Sequence, residues 1–368
     1  MAPKETVTLA LITPSADRIS GSMLRPLNIW ASIRGLKSLN IIVIPVRSII
    51  HIFPWLKKVI QFDIVLISGV NPWILAIITL IRRIFMKSTI VDVHGFAWLE
   101  ASMFGSNILY RTILLISEKL GYTKANHLIV ASPWLAKTLR EYFKVRNVHV
   151  IENAVSYIFE SAVNRIRKLS IDPLLIIRSD ELRNVISEAR SRNKSILLSA
   201  LPDAFRANIL AYQTLLSIVN ALSNEALIIV TGFAKPTKFA KLDNVVHAGY
   251  LTWVEYIAIL LISDAVILLY PNNAICGGAR NKVLEAGYCK KPVIATSIGV
   301  MHLPLSPMRH YIPLDMFKQS IRRSEAWYKI ALEFNELVLA HYNFNTFRTN
   351  FIKLIISLIQ QELMRIKI

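Results

Sequence analysis

The stretch GGARNKVLEAGYCKKPVIAT, residues 277–296, runs a glycine pair, two cations at Arg280 and Lys282, a lone carboxylate at Glu285, and then an apolar run behind Pro292. Free backbone N–H groups and the positive dipole end make a helix start favourable to anions and unfavourable to cations. Read as a helix opened by Gly277 and Gly278 whose first turns carry these charges, the segment needs something negative between Arg280 and Lys282. Lys282 and Glu285 are three residues apart and share a helix face. Together they can hold one molecule, the cation taking a phosphate and the carboxylate a pair of sugar hydroxyls. A diphosphate attached to a ribose is the simplest ligand with both features. The other reading of the same spacing is an i,i+3 ion pair on a solvated helix.

Outward from this block, strand-length apolar runs alternate with helical periodicity through both halves of the chain. In the first half the runs are residues 6–12, 41–46, 64–68, 89–92, 127–130 and 148–151; in the second they are 196–199, 227–231, 245–247, 265–270 and 293–295. Strands separated by helices imply parallel sheets with helices on both faces, here twice over. The 368 residues exceed the size at which a single core usually stops growing, which agrees with two domains. Residues 156–194 are charge-rich and lack a strand pattern, which suits a linker with helices of its own. No short-period repeat or low-complexity tract is present.

Hydrophobic residues make up 54% of the chain, but in short blocks broken by charge and turn residues. The longest uncharged run, IVLISGVNPWILAIITLI at residues 64–81, is interrupted by Ser68, Gly69, Asn71 and Pro72. A membrane-spanning helix needs about 20 apolar residues, and Asn71 followed by Pro72 is a side-chain cap followed by a first-turn proline. The run is therefore read as strand, turn and buried helix. The polar first residues and the strand-length VTLALITP give no signal-peptide pattern. A formal charge of +19 calls for a negatively charged partner or surface. The two cysteines, Cys276 and Cys289, lack metal-ligand spacing, so a structural zinc is unsupported and a reducing interior is expected.

Ligands of doubly wound sheets bind beyond the carboxyl ends of the strands. After the first strand, Ser20, Gly21 and Ser22 precede a helix expected near Met23, where a glycine lets backbone N–H groups approach a phosphate. The spacing is not Gly-x-Gly-x-x-Gly, so a dinucleotide fingerprint is absent. After the fourth strand, His94 and Gly95 stand at a strand end, where an imidazole can donate to a substrate or take its proton, or simply be structural.

Residues 224–296 resemble the carboxyl-terminal domain of GT-B glycosyltransferases, most closely glycosyltransferase family 4. ALIIVTG (226–232), NVVHAGYLTWVEYIAILLISDAVILLYP (244–271) and KVLEAGYCKKPVIAT (282–296) follow the order of that family's blocks. Gly21 occupies its glycine loop, DVHG (92–95) its histidine segment, and residues 118–143 with VHVIENAV (148–155) its helix, strand and asparagine turn. HYNFNTFRTNFIKLIISLI (341–359) is similar to its terminal helices. The resemblance implies an α/β fold of two Rossmann-like doubly wound domains with a cleft between them. It places an acceptor-binding domain at residues 1–155, the linker at 156–194, a nucleotide-sugar domain at 195–325, and helices crossing back to the first domain at 326–368.

The departures are specific. Glu285 fits the second glutamate of the family's Glu-x7-Glu, implying ribose contact, but Gly277 stands where the first belongs. In the loop after the first strand of the second domain Ala200 replaces an arginine that binds diphosphate, and only Arg206 can substitute for the lysine. Arg280 and Lys282 would restore this charge. The resemblance implies a retaining glycosyltransferase using a nucleotide-diphosphate sugar, with catalytic roles for His94, Lys282 and Arg280 and donor contacts from Gly21, Arg206, Gly277, Gly278, Glu285 and Thr296. No metal or other cofactor is expected, since cations can stabilise the leaving group and no convincing Asp-x-Asp motif occurs. The acceptor is expected to be lipid-linked or a glycan. RSIIHIFPWLKKVI (47–60) mixes Arg47, Lys57 and Lys58 with Ile49, Ile50, Phe53, Trp55 and Leu56, as suits an anionic membrane surface on the cytoplasmic side or a buried helix with solvated lysines. A donor-binding pseudoenzyme and a nucleotide-sugar isomerase are the alternatives. Nucleic-acid binding would call for clustered cations or a recognition motif; the cations here are scattered, and no nucleic-acid partner is expected.

Overall fold

The computed structural model describes residues 7–15, 21–46, 53–202, 205–219, 225–233, 242, 244–274, 276–317 and 325–366. The chain forms two compact units, one of Met1–Ser156, Cys276–Gly278 and Phe344–Ile368, the other of Tyr157–Ile275 and Ala279–Asn343. Ser20 and residues 47–52 of the basic, apolar stretch lie outside the described residues.

The first unit is built on β1 (Val7–Pro14), β2 (Leu39–Val46), β3 (Ile64–Ser68), β4 (Ser88–Val93), β5 (His127–Val130) and β6 (Val148–Val150). They form one parallel sheet in the order β2-β1-β3-β4-β5-β6. Successive side chains of a strand point to opposite faces. Leu9, Leu11, Ile64 and Leu66 accordingly enter one core cluster, and Ala10, Ile12, Val65 and Ile67 the other. Burial on both faces is why β3 reads as an unbroken apolar run rather than an alternation. The edge strand β2 leaves Ile42 and Val43 exposed and tolerates Pro45, which cannot donate to a ladder.

Helices α1 (Gly21–Ile33), α2 (Phe53–Gln61), α3 (Pro72–Ile84), α4 (Ala97–Met103), α5 (Ile108–Lys124) and α6 (Pro133–Tyr142) connect these strands. As the sequence predicts, Asn71 caps α3 by accepting from Trp73 N at 3.0 Å. Residues 64–81 thus fold as β3 and the start of α3, and no helix among the described residues is long and apolar enough to cross a membrane. Gly21, expected just ahead of a helix, lies within α1. Arg82 is fully buried and donates to the carbonyls of Val59, Phe62, Asp63 and Ser88 and to Thr89 Oγ1. Its burial lowers its pKa to about 10, and Asp63 opposes the shift. One guanidinium thereby satisfies carbonyls at the end of α2 and at the turns into β3 and β4, which would otherwise be buried without partners.

The second unit contains α7 (Tyr157–Lys168), α8 (Pro173–Ile176), α9 (Asp180–Ser191), β7 (Ser195–Ala200), α10 (Arg206–Val219), β8 (Ala226–Thr231), β9 (Val245–Gly249), α11 (Trp253–Ile262) and β10 (Ala265–Leu268). It continues through α12 (Asn281–Tyr288), β11 (Val293–Ala295), β12 (Ile312–Pro313), α13 (Leu314–Phe317) and α14 (Glu325–His341). The parallel sheet order is β12-β11-β10-β7-β8-β9. β12 has two residues, too short to leave a pattern in the sequence. Residues 156–194, expected as a linker with its own helices, supply α7 to α9, and these pack inside the unit: α7 and α8 on α11, α9 on β7 and β8. Of the terminal helices, α14 packs on α12, where Asn335 Nδ2 donates to Gly287 O at 2.8 Å. The last helix, α15 (Phe344–Ile366), packs on α1 in the first unit and puts Phe347, Phe351 and Ile355 into its core.

Candidate functional site

In the second sheet β7 and β10 lie side by side, and the chain leaves β7 towards β8 and β10 towards β11. Such a switch point opens a crevice at the carboxyl ends of the two strands. Tyr270, two residues past β10 and 1% exposed, is the hub there. Its hydroxyl donates to Asn208 Oδ1 at 2.6 Å, and its carbonyl accepts from Thr296 Oγ1 at 2.6 Å. Lys282 Nζ lies 3.3 Å from Asn208 Oδ1 and 3.4 Å from the Tyr270 hydroxyl. The Arg280 guanidinium lies over the Tyr270 ring, 3.5 Å from its centroid, and donates to Ala274 O at 2.6 Å. Arg206 opens α10, two residues before Asn208.

Arg206, Arg280 and Lys282 form no ion pair among the described residues, and Nε of both arginines is buried without a hydrogen-bond partner. Burial, then the neighbouring Arg280, brings the Lys282 pKa down to about 7, against the pull of Glu285. Burial pushes the Glu285 carboxyl up to about 7, opposed by the Tyr256 hydroxyl and by Lys282. The Tyr256 hydroxyl donates to Glu285 Oε2 at 2.6 Å, and Glu285 is only 2% exposed. Cations without an ion-pair partner near one buried carboxylate are a set of groups suited to an anion.

Gly277 and Gly278 do not open α12. The helix begins at Asn281 behind an extended Arg280 (φ −71°, ψ 125°) whose side chain makes no capping bond. The glycines serve the first unit instead. A Cβ on Gly277 would stand 2.2 Å from His94 O and 2.5 Å from Gly95 Cα, and one on Gly278 would stand 2.9 Å from Ala131 Cβ. Ser132 Oγ donates to Gly277 O at 2.6 Å. Backbone approach this close excludes any side chain.

The first unit has its own switch point, between β1 and β3. Asp92 of β4, 4% exposed, accepts from Arg25 Nε at 2.9 Å and from Ser68 Oγ at 2.8 Å, and its Oδ2 lies 2.5 Å from His94 Nε2. Arg25 also donates to Asn153 Oδ1 at 3.2 Å. Burial favours the protonated acid, but Arg25 and His94 outweigh it and hold Asp92 well below the ordinary carboxylate range. The segment after His94 is tied down by Glu118 of α5, which accepts from Ala97 N at 2.8 Å and Trp98 N at 3.3 Å and so caps α4. Gly21 is the first residue of α1.

The structure thus gathers Arg280, Lys282 and Thr296 around Tyr270, with Arg206 at the start of the neighbouring α10. Glu285 lies buried against Tyr256, and His94, Gly21, Gly277 and Gly278 belong to the first unit. Asn208, Tyr270 and Tyr256 escaped the sequence reading, as did Arg25, Ser68 and Asp92. One signal was available: a carboxylate inside the apolar strand TIVDV has to find a partner.

No family model matches the sequence, and no curated protein matches it. Among solved structures the chain is similar to a sucrose-phosphate synthase from Thermosynechococcus elongatus, with a TM-score of 0.65 and 15% identity over 96% of this chain and 100% of that one. It is similar to HepE of Anabaena in complex with UDP-glucose, with a TM-score of 0.64 and 12% identity over 95% and 99% of the two chains. WaaG, a glycosyltransferase involved in lipopolysaccharide biosynthesis, matches with a TM-score of 0.61 and 13% identity over 93% and 98%. At these identities the likeness is one of architecture, and with its two six-stranded parallel sheets flanked by helices the chain has the GT-B fold of two Rossmann-like domains.

Proposed function

We propose that this protein is a glycosyltransferase that moves a sugar from a nucleotide-diphosphate sugar to a lipid-linked or glycan acceptor, with retention at the anomeric carbon. The observation that carries the reading is the trio Arg206, Arg280 and Lys282, without an ion pair among the described residues, at the β7/β10 switch point. The fold likeness supports it, since HepE was solved with UDP-glucose and the pneumococcal O-GlcNAc transferase GtfA (TM-score 0.54) with UDP and GlcNAc.

In the proposed reaction the bond between the anomeric carbon and the diphosphate oxygen breaks and the electron pair leaves with the diphosphate. Charge grows on that oxygen, and Arg280, Lys282 and Arg206 are the cations assigned to meet it; fixed cations of this kind are usually the largest contribution to such a step. These side chains supply the positive charge, so the reaction needs no metal. Glu285, held by Tyr256 through one oxygen, has the other for ribose hydroxyls. Thr296 braces Tyr270, and Gly21 offers its helix-start amide to the donor. Gly277 and Gly278 act by seating their loop in the first unit.

The acceptor side falls to the first unit. It holds 22 of the 43 Lys and Arg residues but only 9 of the 24 Asp and Glu residues. Its α4–α5 hairpin exposes Phe104, Ile108 and Leu109 at the turn, and residues 101–117 contain no acidic side chain. Lys57, Lys58 and Trp55 of α2 add to this, with Lys58 Nζ 4.8 Å from the Trp55 ring centroid. Exposed apolar groups beside cations suit an anionic bilayer, which supports the reading of a peripheral protein on the cytoplasmic face of the cell membrane.

The test is hydrolysis of a panel of nucleotide-diphosphate sugars, alone and with phosphatidylglycerol or phosphatidylcholine vesicles carrying a lipid extract. The expected result is release of the α-sugar from one α-linked donor, raised by the anionic vesicles and lost in Lys282→Met. Binding of a donor without turnover would make the protein a pseudoenzyme, interconversion of the sugar would make it an isomerase, and inversion would overturn the stereochemical assignment.

A further inference from the structure

Asp92 is a charged residue built into the middle of a sheet, and nothing in the proposed transfer uses it. Each of its contacts has a definite direction. Arg25 can only donate, and its guanidinium meets Asp92 Oδ1 from Nε at 2.9 Å and from Nη2 at 2.8 Å. The Ser68 hydroxyl donates to Oδ2 at 2.8 Å. Arg25 Nε also lies 3.1 Å from that oxygen, and His94 Nε2 approaches it to 2.5 Å while standing 3.1 Å from Ser68 Oγ. A carboxylate paired with Arg25 is ionised and accepts only, so Nε2 has to be the nitrogen that carries the proton. The other ring nitrogen, Nδ1, makes no hydrogen bond among the described residues, the buried Glu100 acts on the ring electrostatically, and the ring is partly open to solvent, with 24% of the side chain exposed.

We propose that Asp92 is a positioning residue that locks His94 in the Nε2–H tautomer, so that the neutral ring offers Nδ1 as an acceptor to a substrate hydroxyl. The hydroxyl as a sugar or acceptor group rests on the glycosyltransferase reading; the lock itself does not. Arg25 gives the device its specificity, because it already meets the carboxylate's charge. What Asp92 contributes to His94 is therefore an oriented acceptor. Ser68 fills the second direction at Oδ2 and fixes the carboxylate plane, and Asn153 holds the far end of Arg25.

The same geometry dictates what the isosteric amide does. In Asp92→Asn the guanidinium still requires an acceptor, so the amide oxygen turns to Arg25 and the NH2 group turns to Ser68 and His94. Nε2 then has to accept, the ring proton moves to Nδ1, and the exposed nitrogen changes from acceptor to donor. A purely structural Asp92 predicts no such reversal.

The experiment is side-chain 15N spectroscopy of the whole protein labelled at histidine, recorded as a pH series, with His94→Gln assigning the signals. The expected result is a protonated Nε2 and an unprotonated Nδ1 in the wild type, exchanged in Asp92→Asn and unchanged in Ser68→Ala. A wild-type ring protonated at Nδ1 overturns the proposal even if Asp92→Asn does not fold, and an Asp92→Asn protein that keeps the Nε2–H form overturns it as well. Turnover of the identified donor should fall roughly 10²-fold in Asp92→Asn, the ordinary reach of one well-placed proton-handling group, with nucleoside diphosphate binding unchanged. Correct tautomers with no donor turned over would sink the transferase reading and leave the lock standing.

Discussion

At the scale of one residue, the proposed donor site rests most on Lys282. Its pKa is lowered from 10.5 to about 7, first by burial and then by Arg280. A diphosphate beside the ammonium favours the charged form and raises that value in the complex. Below about pH 7 the free protein already holds the proton; above it, binding has to bring one along. Affinity should therefore be highest below about 7 and fall as pH rises, by up to about tenfold per unit, until the pKa of the bound state is passed. Calorimetry near pH ~8 in buffers of different ionisation enthalpy should show proton uptake on nucleoside diphosphate binding, absent in Lys282→Met. Uptake that survives the substitution would assign the proton elsewhere. The sequence displayed this residue and Arg280 plainly, because two cations at a helix start ask for a partner. It hid Asn208 and Tyr270, since Tyr270 reads as the end of an apolar strand and Asn208 lies 74 residues from Lys282.

At the scale of elements, legibility followed burial. β3, β5 and β11 run over the residues the apolar pattern predicts, because strands covered on both faces have no polar positions to blur their ends. The start of α12 was misread because a glycine pair ahead of helical spacing looks like a helix opening, whereas close backbone packing is what requires glycine there. Gly121 is the same case inside a helix, where glycine costs about 1 kcal/mol relative to alanine. A Cβ at Gly121 would lie 2.5 Å from Leu75 Cγ, so this position lets α5 and α3 close on each other. Gly121→Val should destabilise the protein by about 1–3 kcal/mol in chemical denaturation. Combining it with Leu75→Ala should recover part of that loss through a coupling of about 0.5 kcal/mol or more. Strictly additive losses would show that the two side chains do not meet.

At the scale of the whole molecule, the alternation of strands and helices announced two doubly wound units, and the structure has them. Pattern could not assign the irregular pieces. Residues 157–194 belong to the second unit, and both Cys276–Gly278 and the last helix belong to the first. These memberships are decided by tertiary contacts such as the seating of Phe351 and Ile355 in the first core, which leave no periodic trace of their own. The first unit, with most of the surplus positive charge, is assigned the acceptor; the second, with its unpaired cations at a switch point, is assigned the donor. The donor assignment is the central claim, and titrating a panel of nucleoside diphosphates into the wild type, Arg280→Met and Lys282→Met by calorimetry tests it most directly. The account predicts saturable binding of one of them to the wild type, weakened at least about tenfold (~1.4 kcal/mol) in each folded variant. No binding by the folded wild type, or equal binding by all three proteins, would contradict it.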